Sequence, residues 1–306
     1  MKFLPQELEV MSDPRGTQPT WQCVMVCWGD KYPVSLVNHL MGEIERHAPT
    51  CPRFVLICDE PKPGLRNDAI TRDFPPFFLN SQFKKGGCQA KLAMFEKGVL
   101  PEDLPCVYID LDTIVLGDIS AGLQLMDSRK TVAMLPSAII PFGPIGRTLW
   151  KWTDKKRYAR GNSSMVVFHP AECHYVATTF RELHQEHPDL DFRPMVADER
   201  FISWVAQLHM KKLPKTLIVK FPGEFMFPWR WWLYVKAQLP WVRARRSKLA
   251  AITLNGLLIK PEMLVNLERG AIVVDNKSRQ LVWSPFTMGA FYSEIQKYYG
   301  YLKAKV

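Results

Sequence analysis

The stretch Cys106-Val107-Tyr108-Ile109-Asp110-Leu111-Asp112-Thr113-Ile114-Val115-Leu116-Gly117-Asp118 constrains the fold more than any other part of the chain. An apolar and aromatic run leads into two aspartates one residue apart, and a second apolar run closes at a glycine. That is the pattern of a buried strand with carboxylates at its carboxyl end. An unpaired carboxylate in a low-dielectric site is costly, so the pair calls for a cation, a metal ion or a raised pKa. Strand alternation predicts Asp110 and Asp112 on one face. Two hard oxygen ligands side by side suit Mg2+ or Mn2+, with the remaining coordination positions open to a diphosphate. On this context alone, a metal-diphosphate site and a satisfied strand-end pair both stand.

A second Asp-x-Asp, Asp189-Leu190-Asp191, serves as a control. It lies among His187, Pro188 and Arg193 with no apolar run before it, and it reads as a solvated loop. Strand context, not the short motif, singles out the first copy.

A chain of 306 residues with 47% hydrophobic and 23% charged residues can bury a sizeable core, which excludes a largely disordered protein. It has room for one large domain or one domain with an appendage. The formal net charge of +10 favours an anionic partner: nucleotide, phospholipid headgroup or nucleic acid. The seven cysteines form no Cys-x-x-Cys pair, and several sit in apolar runs, as free thiols do in a reducing cytosol. Met1 to Glu9 contains no apolar signal region, and no apolar stretch is long enough to span a bilayer. The expectation is a cytoplasmic protein, either free or peripheral to the inner face of a membrane.

Residues 1–20 are polar, with Pro14, Gly16 and Pro19, and read as an N-terminal arm. Trp21 to Cys27 is the first strand; Trp28-Gly29-Asp30-Lys31-Tyr32-Pro33 turns the chain into a helical pattern from Val34 to His47. A second strand, Arg53 to Cys58, ends at Asp59-Glu60. This order predicts a doubly wound α/β sheet with ligands outside the carboxyl ends of its strands. Gly86-Gly87-Cys88-Gln89-Ala90-Lys91 predicts a helix start facing phosphate. Asn162, Ser163 and Ser164 precede an apolar strand, and a helix is predicted over Asp198 to Leu208, where the Asp198 and Glu199 carboxylates suit its amino end. Neither Gly-x-Gly-x-x-Gly nor a Walker-type Gly-Lys-Ser/Thr is present.

Taken in order, these pieces resemble the GT-A glycosyltransferases, specifically the bacterial proteins related to family 8, from about residue 21 to residue 261. Trp28-Gly29-Asp30-Lys31-Tyr32 is similar to that group's first loop, and Lys91-Leu92-Ala93-Met94-Phe95 to its lysine-bearing helix start. Tyr108 to Gly117 resembles its metal-binding Asp-x-Asp strand, and Asn162-Ser163-Ser164-Met165-Val166 the strand start that lines the donor-sugar pocket. Asp198-Glu199-Arg200-Phe201-Ile202 stands where the family has an Asp-Gln pair followed by an aromatic and Ile. A late His-Gly-x-x-x-Pro element supplies the family's third metal ligand; the similar stretch here, Asn255-Gly256-Leu257-Leu258-Ile259-Lys260-Pro261, has Asn255 in the histidine's place.

The resemblance implies a Rossmann-like mixed sheet over residues 21–261, followed by a C-terminal extension of unknown role, 262–306. In the extension, 273–283 reads as a hairpin and 291–301 as a short helix. It also implies a metal-dependent transferase moving a sugar from a nucleoside diphosphate, UDP by analogy, to a glycan or lipid-linked acceptor with retention. Asp110, Asp112 and Asn255 would then hold Mn2+ or Mg2+. The donor would meet Trp28, Gly29, Tyr32, Lys91, Asp110, Leu111, Asn162, Ser163 and Gly256, with Lys91 and Asp198 as the catalytic pair.

Competing readings remain. The altered third ligand fits a catalytically impaired nucleotide-sugar-binding or scaffold protein. Asp110-x-Asp112 also resembles the first motif of haloacid-dehalogenase phosphatases, but no later acidic pair follows on a suitable strand. The tryptophan- and arginine-rich segment 225–248 suits either an anionic membrane surface or an acceptor-cleft wall followed by a solvated charge run. No recognised nucleic-acid module surrounds it, so no nucleic acid is expected as partner.

Overall fold

The computed structural model describes residues 18–303 apart from Ala138, Asn255 and Leu257. Strands β1 (Gln22–Cys27) and β2 (Arg53–Cys58) are buried along nearly their whole length, as continuous apolar runs are in a sheet covered on both faces. The helix Val34–His47 crosses between them, burying Leu36, Val37, Leu40, Met41 and Ile44, so β2 returns parallel to β1.

The next strands are β3 (Ile70–Asp73), β4 (Cys106–Ile109), β5 (Thr113–Val115), β6 (Val132–Pro136), β7 (Gly161–Phe168) and β8 (Met210–Lys212). All but β5 join β1 and β2 in a seven-stranded sheet of order β3-β2-β1-β4-β7-β6-β8. The first four are mutually parallel, and β7 runs antiparallel to both β4 and β6. The reversal between β4 and β7 brings the amino end of β7, Gly161 to Ser164, beside the carboxyl end of β4. Alternate residues of the sheet feed two cores, Val24, Val55 and Tyr108 on one face and Met25, Leu56 and Val107 on the other.

Strand β5 leaves this sheet and pairs with β11 (Ala251–Thr253), which in turn runs parallel to β9 (Ile218–Lys220). A third sheet joins β10 (Met226–Phe227) to the antiparallel hairpin of β12 (Ile272–Val274) and β13 (Gln280–Val282), which begins one residue before the stretch read as a hairpin. A third core gathers Ile114, Val219 and Ile252 with Leu281, Trp283, Ile295 and Tyr299 from the last forty residues or so. Tyr298, on the helix Phe291–Tyr298, donates its hydroxyl to the Thr113 carbonyl at 3.3 Å.

Two local expectations change. The glycine pair opens no α-helix: Cys88 takes a left-handed φ of 53°, and Gln89–Phe95 forms a 3-10 helix. Ala90 and Leu92 to Phe95 are all buried there, so packing, not a solvent-facing helix start, dictates this conformation. The Asp198 helix ends at Val205 rather than Leu208. Among the described residues, no helix is long and apolar enough to cross a membrane.

Candidate active site

Strand β4 ends at Ile109, so Asp110, Leu111 and Asp112 form the turn into β5. Strand alternation therefore does not orient the two aspartates, contrary to the sequence expectation. The turn is pinned at both ends: the Asp110 amide donates to the Ser164 carbonyl at 2.9 Å, and the Leu254 amide donates to the Asp112 carbonyl at 3.0 Å. Leu111 is buried between them.

Each carboxylate meets its own lysine. Lys91 Nζ lies 2.6 Å from Asp110 Oδ1 and 3.8 Å from Asp198 Oδ2. The Tyr108 hydroxyl also donates to Asp110 Oδ1 at 2.6 Å. Burial alone would raise the Asp110 pKa, but Lys91 and the hydrogen bonds from Tyr108 and Ser164 hold it below the ordinary carboxylate range. Burial disfavours the Lys91 ammonium, yet the charges of Asp110 and Asp198 keep its pKa well above normal. On the other side of the turn, Asp112 accepts from Lys260 Nζ and, at 3.3 Å, from the Tyr32 hydroxyl. Its pKa is raised by burial and by the neighbouring Asp110 charge, against the pull of Lys260. Lys260 also donates to the Leu254 carbonyl at 3.3 Å.

The amino end of β7 adds a second tier. Ser163 Oγ donates to Asp198 Oδ2 at 2.6 Å, and Asn162 Nδ2 donates to Glu199 Oε2 at 2.7 Å. Asp198 is buried, and its pKa is pushed up to about 6 by burial, against Lys91 and the Ser163 hydrogen bond. Its position depends on Gly87, whose carbonyl accepts the Asp198 amide at 2.9 Å. A Cβ on residue 87 would collide with the Val196 carbonyl oxygen and the Gln89 side chain, so only glycine permits this approach.

Tyr32, Lys91, Asp110, Asp112, Asn162, Ser163 and Asp198 thus converge at the carboxyl end of β4. Trp28 and Gly29 belong to an adjoining loop. Trp28 sets its ring edge-on to Phe74, with centroids 6.4 Å apart. Gly29, at φ +60°, donates to the Asp59 carboxylate at 3.2 Å, and Asp59 is also held by Lys84 at 2.9 Å. Gly256 adopts φ +109°, and Asn255 lies outside the described residues. In the control motif Asp189 and Asp191 are exposed, with Asp191 bound to His187 at 2.9 Å, while Leu190 between them is buried against the core, so the stretch is not wholly solvated.

Lys260, Tyr108 and Glu199 were not singled out from sequence as site residues. Tyr108 was within reach, since it stands two residues before Asp110 at the end of one strand. Lys260 was not: it pairs with a residue 148 positions earlier, and only the folding of β11 against β5 brings them together. Among the described residues, no group of three or more His, Cys, Asp or Glu side chains could hold a metal ion.

No protein-family model matches the sequence, and no curated protein matches it. Solved structures do. The galactosyltransferase LgtC, in complex with donor and acceptor sugar analogs, superposes with a TM-score of 0.56 at 12% identity, over 92% of this chain and 95% of its own. The bifunctional glycosyltransferase WbbM gives 0.51 at 13% identity over 95% of this chain, which spans about half (51%) of WbbM. The glycosyltransferase GlyE of Streptococcus pneumoniae TIGR4 gives 0.51 at 12% identity, over 91% of this chain and 60% of GlyE. At these identities the likeness speaks to architecture, and the chain has the GT-A fold of these glycosyltransferases.

Proposed function

We propose that the chain transfers a sugar from a nucleoside diphosphate sugar, with UDP as the nucleotide, to a glycan or lipid-linked acceptor, with retention at the anomeric carbon. The observation that carries this reading is the pair of aspartate-lysine contacts, Asp110 with Lys91 and Asp112 with Lys260, at the carboxyl end of β4. Ligands of open α/β sheets bind at such strand ends.

The residues divide the work by charge. Lys91 is mostly enclosed and already shared between Asp110 and Asp198, so it orients those carboxylates rather than leaving them. Lys260 is the more exposed ammonium, with 22% of its side chain accessible against 13% for Lys91, and can turn from Asp112 toward an incoming diphosphate. Asp198, held by Ser163, offers a carboxylate to donor-sugar hydroxyls. Asn162 and Glu199 extend that polar edge.

The donor set fits a hard divalent cation. Two carboxylate side chains one residue apart supply anionic oxygens, and the burial and the Asp110 charge that raise the Asp112 pKa are offset by added positive charge. Asp110 and Asp112 would hold Mn2+ or Mg2+, with diphosphate oxygens completing the shell. When bound, such a cation neutralises charge on the departing diphosphate.

A second reading, a nucleotide-sugar-binding or scaffold protein with impaired catalysis, draws on the same aspartate-lysine pairs and on the lack of a third metal-ligating group among the described residues. A panel of nucleotide sugars, scored for thermal stabilisation and Mn2+-dependent hydrolysis, separates the two. The transferase reading expects both signals, and a loss of at least about a hundredfold in turnover for Asp112→Asn. Stabilisation without turnover selects the binding protein. Turnover at the parent's rate by Asp112→Asn overturns the assignment of the site.

A further inference from the structure

Four exposed aromatic side chains lie close together in sequence on or next to two consecutive helices, and a fifth joins them from the end of the chain. On the helix Arg230–Gln238 and just before it, Trp229 is 60% exposed, Trp231 61% and Tyr234 42%; Trp241, on the following helix Pro240–Arg246, is 66% exposed. Phe286, 55% exposed, comes from the far end of the chain and packs against Tyr234 with ring centroids 5.6 Å apart. The Trp229 and Trp231 rings stack, 6.2 Å apart and 6° from parallel. Leu233 and Ala237 are the buried side of the first helix, so its aromatic face is the one left in solvent.

The charges that this segment itself contributes have one sign. No Asp or Glu occurs from residue 225 to residue 261. Of the basic residues in the segment, Arg245 and Arg246 are committed to buried Glu224 at 2.6 and 2.7 Å, and Lys236 to the Gly223 and Glu224 carbonyls. Arg230, Arg243 and Lys248 are exposed and have no acidic partner among the described residues. Arg243 also lines a cavity of about 840 Å3, together with Phe286, Arg246 and Lys297; its acidic side chains are Glu294 and Glu43, the latter paired with Arg46.

We propose that this face, Trp229, Trp231, Tyr234, Trp241 and Phe286 with Arg230, Arg243 and Lys248, docks the protein on an anionic lipid bilayer. Tryptophan and tyrosine settle at the boundary between headgroups and acyl chains, where an apolar ring and a polar edge are both satisfied. Unpaired cations among them meet anionic headgroups. A second copy of the chain is a poorer occupant, because a symmetric contact would set the same three cations against each other. The inference stands independently of the donor chemistry proposed above.

Cosedimentation of the full chain with phosphatidylcholine vesicles, with and without phosphatidylserine, tests it. Binding is expected to the anionic vesicles at low salt and to weaken as salt screens the cations. Trp231→Ser combined with Trp241→Ser should lower partitioning about tenfold or more. Arg243→Gln and Lys248→Gln should each lower it about fivefold. All four side chains are exposed, so unchanged thermal midpoints separate lost binding from lost folding. Failure of the parent to sediment with anionic vesicles overturns the proposal, as does undiminished binding by the folded tryptophan variant. Vesicle-free self-association that the tryptophan variant abolishes, with no lipid binding by the parent, overturns it in favour of an interface between copies.

Discussion

Asp198 joins position to protonation at a single residue. Its folded pKa of about 6 lies above the ordinary 3.8, so the protonated form is the one the fold favours. The stability it contributes is fully present below about pH 4 and is lost as pH rises through 6. Asp198→Asn removes that dependence. The unfolding free energy of Asp198→Asn minus that of the parent should therefore climb between pH 4 and 7 and level off above, by no more than about 3 kcal/mol for a shift of this size. Urea titrations across that range measure it, and a flat or falling difference would show that Lys91 and Ser163 outweigh burial. The sequence placed Asp198 at a helix amino end, which is where it sits. Its burial and its bond to Ser163 were not legible, because the partner lies 35 residues earlier on another element. The same holds for Asp112 and Lys260, whereas the Tyr108 contact follows from two-residue spacing near a strand end.

At the scale of elements, the loop from Gly86 into the 3-10 helix does more than a surface helix start could. It reverses the chain through a left-handed Cys88, buries every residue of Gln89–Phe95 except Lys91, and presents Lys91 to Asp110. Gly87 is the tight point, since its carbonyl holds the Asp198 amide. Gly87→Ala is expected to cost about 1–3 kcal/mol in stability by forcing Val196 and Gln89 away. Displacing Asp198 should also lower donor turnover by more than that cost explains. Gly86→Ala, where a Cβ meets open space, is the matched control. Equal behaviour of the two variants in chemical denaturation and turnover would remove Gly87 from this role. An apolar run of the 3-10 helix's length reads as α-helix by composition; only its enclosure on several sides selects the tighter winding.

Across the whole molecule, the last forty residues or so complete a core rather than trailing from it. Trp283 is fully buried with Ile114 and Ile252, and Ile114 lies two residues beyond Asp112. Trp283→Ala is expected to cost about 3–5 kcal/mol by opening a cavity there. The loss should also slacken the turn that carries the aspartates. A denaturation midpoint unchanged from the parent would mean that Trp283 does not hold this core together, and a lowered midpoint with donor turnover at the parent's rate would mean that the segment packs without supporting the site.

The sequence by itself determined the elements whose own pattern specifies them. These are the buried strands β1, β2 and β4, the amphipathic helix Val34–His47, the hairpin of β12 and β13, and an aromatic, basic segment broken by Pro228 and Pro240. Local periodicity and backbone restriction are properties of neighbouring residues, so they survive without the fold. Only the tertiary structure decided which cation meets which carboxylate. It sent Lys91 to Asp110, Lys260 to Asp112 and Arg246 to Glu224, and left Arg243 and Lys248 facing solvent. A charge finds its partner through the low dielectric of a shared enclosure, and that enclosure exists only once distant strands have closed it.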